Sequence, residues 1–454
     1  MLSAAVCACS AGNIPRQDAT PPGDAGGDGA SPGIDGGSPA CSIPAELDAA
    51  SLGSSPPDGG LQYSAGPVPA SDRQSAGWVP TGAAGCDGLV PPSVPPRLSW
   101  TAPSAHGSYC FEGDPVVDGD GDLAFTFDGP NSSFPRVFFP SDGSAGLMVD
   151  GNEFIVASRP RGFYTLRADY ASSGVVEWAR AVGPEGVDQG FVRGEVDGWS
   201  YNTLWADPRG GYVEGRFWAD FCKGNGGQPI RHFDVRWIAA DLTSRTQWWG
   251  VTTWDYFANV YPRVFVDVSG NALVWMPFSL PMSMGTCEQG ETRIFWVSES
   301  GTVSPFTPVM ITAHTSNCGT VQFPGFSSAL ALDEGGFALY QQPYAPTQIY
   351  PSGWFASYAS GSGTSTTPPA WLSRYEGIVQ RVADGAYLAM RRDPTSCART
   401  AEIVGAAGQV CATLVLAGSE GCGASDLISP DGTLVLHESG SCALRWWPKL
   451  GRVR

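Results

Sequence analysis

The sequence predicts an all-β fold, a β-propeller of seven four-stranded blades behind a disordered N-terminal tether. Three observations predict it: one phrase recurs seven times, a second kind of hairpin follows many copies, and the two ends of the repeated region match each other. The phrase is an Asp- or Gly-containing turn followed at once by alternating apolar residues. It reads VVDGDGDLAFTF at 116–127, LMVDGNEFIVAS at 147–158, LWADPRGGYVEGRF at 204–217, VFVDVSGNALVWM at 264–276, LALDEGGFALYQ at 330–341, QRVADGAYLAM at 380–390 and DLISPDGTLVLHE at 426–438. Alternation at period two marks a half-buried strand, and one hairpin repeated along a chain marks a radially repeated sheet. From Cys110 onward, seven repeats average about 49 residues, against ~40–50 for a blade. The spacing is uneven, and Gly119 to Gly151 is short for a blade, so six or eight blades also fit.

The second hairpins are LRADYASSGVVEWARAV (166–182), VRWIAADLTSRTQWWGV (235–251), IFWVSESGTVSPFTPV (294–309) and AEIVGAAGQVCATLVLAG (401–418). Two apolar runs flank a small-residue turn in each. Small residues reach turn conformations at little cost, while β-branched and aromatic residues fit a pleated surface. The last repeat, 427–450, has only three strands' worth of sequence. RLSWTA at 97–102 has the same flavour as ALRWW at 443–447, so Leu98, Trp100 and their neighbours are expected to complete the last blade and close the ring.

Residues 10–60 are built of Gly, Pro, Ala, Ser and Asp, as in TPPGDAGGDGASPGIDGGSPA (20–40). Such a segment has too little apolar surface to offset its ordering entropy and is expected to be a disordered linker. Residues 61–96, with Tyr63, Trp78 and Cys86, are expected to be extended and partly ordered, and the propeller domain to run from 97 to 454.

Twelve cysteines point to an oxidising compartment. There is no Cys-x-x-Cys pair, which removes the usual zinc and thioredoxin-like arrangements. The ten cysteines from Cys41 onward are expected to be oxidised, with Cys287 to Cys318, and Cys411 or Cys397 to Cys422 or Cys442, as local pairings. No segment is long and apolar enough to cross a bilayer as a helix. VCAC at 6–9, with the small Ala8 before Cys9, followed by the Gly/Pro/Asp tether, resembles the start of bacterial surface lipoproteins. The resemblance covers only the first 60 residues, and Cys7 departs from the usual pattern. It implies that residues 1–9 are the remnant of a signal and lipobox, that Cys9 carries lipid, and that the chain is anchored rather than transmembrane.

The formal net charge is −18, of which the first 60 residues carry −6 from seven acids and one Arg. With only two lysines, Lys223 and Lys449, no basic patch is dense enough for nucleic acid. The chain lacks GxSxG, HExxH, a P-loop and a GxGxxG after a strand. Its four histidines, His106, His232, His314 and His437, show no metal-ligand spacing. Asp118, Asp120 and Asp122 alternate as the oxygen ligands of a calcium loop do. Leu123 stands where such a loop needs Gly, and Asp-Gly-Asp-Gly also reads as this repeat's own hairpin turn. No cofactor is expected, and Ca²⁺ is the one ion the pattern accommodates.

Aromatics crowd WSYNTLW (199–205), FW (217–218) and WWGVTTWDYF (248–257), where packing between blades competes with stacking on sugars. Three stretches exceed a hairpin's needs: DFCKGNGGQPIRHF (220–233), SLPMSMGTCEQGE (279–291) and QPYAPTQIYPSGW (342–354). Loops of that length are usually functional or disordered. They supply Tyr344, Tyr350, Trp354, Arg231 and His232 as candidate ligand-binding residues. The chain therefore reads as an exported, lipid-anchored, monomeric cell-surface protein whose propeller binds a protein or glycan. The alternative is a propeller enzyme acting on a glycan or small molecule at the central mouth, with Glu195, Asp207, Asp267, Asp333 and Asp384 as the available acids.

Overall fold

The computed structural model describes residues 46–47, 62–66, 77–101, 111–127, 135–149, 153–171, 174–184, 188–197, 200–207, 209–220, 230–240, 244–252, 263–267, 269–279, 290–300, 303–305, 309–311, 326–333, 335–341, 353–358, 365–416, 424–438 and 443–453. These residues form seven antiparallel sheets, one after another along the chain. Blade one spans 111–149, blade two 153–197, blade three 200–252, blade four 263–311, blade five 326–366, blade six 379–415 and blade seven 425–447. The described residues contain one 3-10 turn, Ala370–Arg374, and are otherwise strands and their connections.

The repeated phrase is a hairpin between the first and second strands of a blade. Five copies share one geometry. The N–H of the first turn residue bonds the carbonyl four residues on, and the N–H of a glycine three residues on bonds back to the first carbonyl. This holds for Asp118–Asp122, Asp207–Gly211, Asp267–Asn271, Leu332–Gly336 and Ser429–Thr433. Such a turn needs a left-handed residue at its fourth position, and Gly121, Gly210, Gly270, Gly335 and Gly432 supply φ of 78–94°. The leading Asp caps the turn. Asp118 Oδ1 accepts the N–H groups of Asp120 and Asp122 at 2.9 and 3.0 Å, and Asp267 Oδ1 those of Ser269 and Asn271 at 2.8 and 2.9 Å.

One of the seven copies is not a hairpin. The 147–158 phrase joins the last strand of blade one, Gly146–Val149, to the first of blade two, Glu153–Ser158. The inner hairpin of blade two lies further on, at Arg159–Gly162, where Arg159 N–H bonds the Gly162 carbonyl at 2.9 Å. This accounts for the short interval after Gly119 and leaves seven blades.

Large side chains fill the seams between blades. Tyr164 and Ala181 meet Tyr212 and Ile238 between blades two and three, and Val213, Val235 and Trp237 meet Val264, Ala272 and Val274 between three and four. The first strands of neighbouring blades contact each other, so they face the ring axis. Between blades seven and one, Trp100 lies 5.3 Å from Phe125 and 5.7 Å from Phe139, which lies 5.3 Å from Trp446. These buried aromatics supply large apolar area at the point where the ring must close.

Closure follows the expected route. Four N-terminal strands, β1 (Glu46–Leu47), β2 (Gln62–Gly66), β3 (Val79–Pro80) and β4 (Leu98–Thr101), all pair on the outer edges of blades. β4 is the fourth strand of blade seven, with Leu98 opposite Trp446 and Trp100 opposite Leu444. β1, β2 and β3 are fifth strands on blades two, one and six. The expected linker 10–60 lies outside the described residues except for β1.

Cys86 is bonded to Cys411, 325 residues away, with Cα atoms 5.2 Å apart. The expectation that Cys411 pairs with Cys422 or Cys442 is thereby corrected. Cys411 lies on the outer strand of blade six, where Trp78, Leu89, Val90 and Val94 of the segment leading to β4 pack against it and its neighbours. Cys397 is also disulfide-bonded. The remaining cysteines, Cys9 among them, lie outside the described residues.

Candidate functional site

The topology sorts the connections onto two faces. Antiparallel strands alternate direction, so hairpins between first and second strands share a face with those between third and fourth. This turn face carries only short connections, from Asp384–Gly385 to 140–145. The opposite face receives the steps between second and third strands and those between blades. On it lie the strand ends flanking 221–229, 253–262, 280–289, 312–325 and 342–352. The three long stretches singled out in the sequence therefore start and end on one face of three consecutive blades.

Acidic residues on the turn face tie the blades together. Asp118 Oδ2 accepts the Gly162 N–H of blade two at 2.6 Å, while Asp122 Oδ1 accepts the Ser141 N–H within blade one at 2.6 Å. Asp120 faces Lys449 Nζ at 3.6 Å, near blade seven. Arg209 grips Asp207 through Nε and Nη2 at 2.9 and 2.8 Å and reaches Glu299 and the Gly270 carbonyl of blade four. Arg381 of blade six bonds Asp333 of blade five and Asp384 of its own turn. The Tyr387 hydroxyl accepts the Asp333 N–H at 3.0 Å.

Asp118, Asp120 and Asp122 thus face three different partners. Among the described residues no three His, Cys, Asp or Glu side chains are grouped so as to hold a metal ion. Asp118 and Asp122 serve the turn and its seam, while Asp120 is more than half exposed beside Lys449.

Burial shapes the electrostatics of this seam. It pushes the Asp118 carboxyl up to about 6, partly opposed by the N–H bonds from Gly162, Asp122 and Asp120, and assisted by the Asp122 charge. Burial also raises Asp431, against bonds from Ser429 and Thr433 and the Lys449 charge. Toward the other face, Arg399 of blade six and Asp426 of blade seven form a fully buried pair at 2.7 Å, and Arg399 also bonds the carbonyls of Cys397 and Ala424. His437 lies 3.7 Å from Asp114 across the closing seam, and burial lowers its pKa against the pull of Asp114 and Asp426.

The candidate ligand residues separate. Arg231 and His232 belong to the strand Ile230–Ile238, paired on both sides, opposite Ala219 and Trp218 and opposite Thr252 and Val251. They are strand residues rather than loop residues, because alternation resumes at Ile230, before the expected loop ends. Trp354 also leaves the loop set. It is half-buried, packs 5.3 Å from Tyr340, and donates its indole N–H to the Tyr375 carbonyl at 3.0 Å. Tyr344 and Tyr350 lie outside the described residues. Of the acids suggested for an enzyme, Asp207, Asp267, Asp333 and Asp384 are engaged in turns and seams; Glu195 sits opposite Glu46 of β1.

Sequence reasoning missed the arginine ties, whereas Trp205 closes the aromatic run 199–205 that it singled out. Trp205 is 36 % exposed on the first strand of blade three, with its ring edge-on to Phe265 at 5.0 Å. The signal for Arg209 is its place between Asp207 and Gly210, within reach of the capping carboxylate. Nothing local marks the tie from Arg381 to Asp333 or that from Arg399 to Asp426, 48 and 27 residues away.

No family model matches this chain, and no curated protein matches it in sequence. Among solved structures it is similar to the β-propeller domain of the Trilobed protease from Pyrococcus furiosus, at 11 % identity and a TM-score of 0.45, covering 75 % of this chain and 95 % of that one. It is similar to Kuenenia stuttgartiensis hydrazine synthase at 12 % identity and a TM-score of 0.41, covering 75 % and 96 %. TolB from Acinetobacter baumannii follows at 9 % and 0.24, covering 63 % and 79 %.

Proposed function

We propose that this chain is an exported, lipid-anchored surface protein whose propeller is a binding module for a protein or glycan. One observation carries the reading, the asymmetry of the ring. The turn face has short connections, and among the described residues several of its acids serve turns and seams. The opposite face collects every connection of nine residues or more that separates two strands of one blade in blades three to five. Long loops on a rigid scaffold are where binding residues concentrate. The Cys86–Cys411 bond and the bonded Cys397 support an oxidising compartment, and VCAC with its tether supports a lipid at Cys9.

The test is a screen of the purified, oxidised chain against protein and glycan arrays, followed by Tyr344→Ala with Tyr350→Ala. The expected result is a tenfold or greater loss of affinity for whatever the array captures, at unchanged melting temperature. Equal binding by the folded double variant overturns the placement of the site. Metabolic labelling with a clickable fatty acid tests the anchor, with Cys9→Ala as the variant that abolishes incorporation.

A further inference from the structure

We propose that His437 is a pH-sensitive latch on the seam that closes the ring. Neutral, it lets blades seven and one pack together; protonated, it loosens them at the face of the long connections. Its place in the sheet sets the imidazole between the blades. On blade seven, Ser425, His437, Leu444 and Trp100 lie directly opposite one another across four strands, so they share one face of the sheet. That face is turned to blade one. Trp100 lies 5.3 Å from Phe125, and with Val435 and Leu444 it belongs to the core that blade one completes. At this seam His437 is only 8 % exposed.

Blade one meets it with a carboxylate carried on a bulge. The strand Phe111–Val117 pairs Glu112 with Thr126 and Val116 with Ala124, so it carries two residues more than its partner over the same stretch. Pro115, which has no N–H for the ladder, sits in this bulge beside Asp114. Bulges re-aim side chains. Here Asp114 Oδ1 comes to 3.7 Å from His437 Nε2 while the Asp114 side chain stays 80 % exposed.

The surrounding charges decide the direction of the switch. Among the described residues, blade one contributes Asp114, and the first strand of blade seven contributes Asp426. Asp426 stands opposite Leu436, on the other face of the sheet, where Arg399 of blade six already holds it at 2.7 Å. Leu444 and Trp100 bring no charge, and Glu112 and Glu438 stand on the same two strands as Asp114 and His437. A protonated His437 is then a buried cation facing a carboxylate that is water-exposed and beyond hydrogen-bond distance. Such burial disfavours the charged form. It holds the imidazole below its ordinary value, against the pull of Asp114 and Asp426. An opened seam takes up the proton near pH 6.5, before the closed one does. The closed seam therefore has its full stability above that pH and loses it as pH falls toward the lower folded value.

Imidazole NMR and hydrogen exchange on the full oxidised chain test this. The His437 signal, assigned by its loss in His437→Gln, is expected to titrate below 6.5, and lower still in Asp114→Asn, a change at an exposed position. Amide exchange in 98–101 and 434–438 is compared between wild type and His437→Gln at each pH, so that the titrations of Asp118 and Asp431 cancel. That ratio is expected to rise about threefold or more between pH 7.5 and pH 5, while the ratio in 212–220 stays constant. In Asp114→Asn the acid effect on 98–101 is expected to exceed that in wild type. An imidazole titrating at or above 6.5, a ratio in 98–101 and 434–438 that stays constant with pH, or a smaller acid effect in Asp114→Asn each overturns the proposal.

Discussion

Asp118 serves a hairpin and a blade seam with one carboxylate. Its Oδ1 closes the turn of blade one and its Oδ2 holds Gly162 of blade two. Burial raises it to about 6, so the folded protein holds the proton to higher pH than the unfolded chain does. Its contribution to stability is then full below its unfolded value, near 4, and is lost as pH rises through about 6. Asp118→Asn mimics the protonated form. The difference in melting temperature, variant minus wild type, is expected to grow between pH 4 and 6; a flat difference across that window contradicts the assignment. Arg399 and Asp426 make a different case. Removing one partner of a buried pair leaves a charge without compensation, so Arg399→Met is expected to cost about 3–5 kcal/mol in denaturant unfolding. Adding Asp426→Leu is expected to recover much of that loss. Equal losses in single and double variants would mean that the carbonyl bonds of Arg399, not its charge partner, matter most.

At the scale of elements, the sequence was legible where local chemistry repeats. The Asp–Gly phrase is visible because all five turns of this geometry carry Asp within their first three positions and Gly at the fourth, as in Asp267 and Gly270. The inner hairpin of blade two was hidden because Arg159–Gly162 has no leading Asp, while Asp150 and Gly151 between blades imitate the phrase. Strand β4 was legible because Leu98 and Trp100 repeat the alternation of Leu444 and Trp446, their partners on the neighbouring strand of blade seven. Cys86–Cys411 was not, since a bond spanning the whole ring leaves no trace in local spacing. Both sulfurs are buried under the segment that feeds β4, so the bond pins the closing strand to blade six. Cys86→Ala with Cys411→Ala is expected to lower stability by up to about 5 kcal/mol, because the closed loop is long. An unchanged unfolding midpoint would show that packing of Trp100 and Trp446 suffices to close the ring.

Trp354 separates packing from recognition at the scale of the whole molecule. Its sequence context, YPSGW, looks like a loop end, yet Gly353 starts a strand and turns the indole toward Tyr340 and Tyr375. Trp354→Ala is expected to destabilise the fold by about 3 kcal/mol, the low end of the range for truncating large aromatic side chains, because the ring is half-buried; a melting temperature equal to wild type would return it to the binding set. The candidate site was legible only as loop length, because length shows in the spacing of alternating runs whereas side-chain direction does not. Arg231 and His232 illustrate the limit, since nothing in IRHF announces that the strand has already begun. The face-wise division of the ring makes the sharpest demand on experiment. One binding titration, against the ligand captured by array, should compare two folded double variants. Tyr344→Ala with Tyr350→Ala alters the face of long connections; Ser300→Arg with Ala407→Arg alters exposed positions on the turn face. The account predicts at least a tenfold loss for the first and wild-type affinity for the second, and the opposite ranking contradicts it.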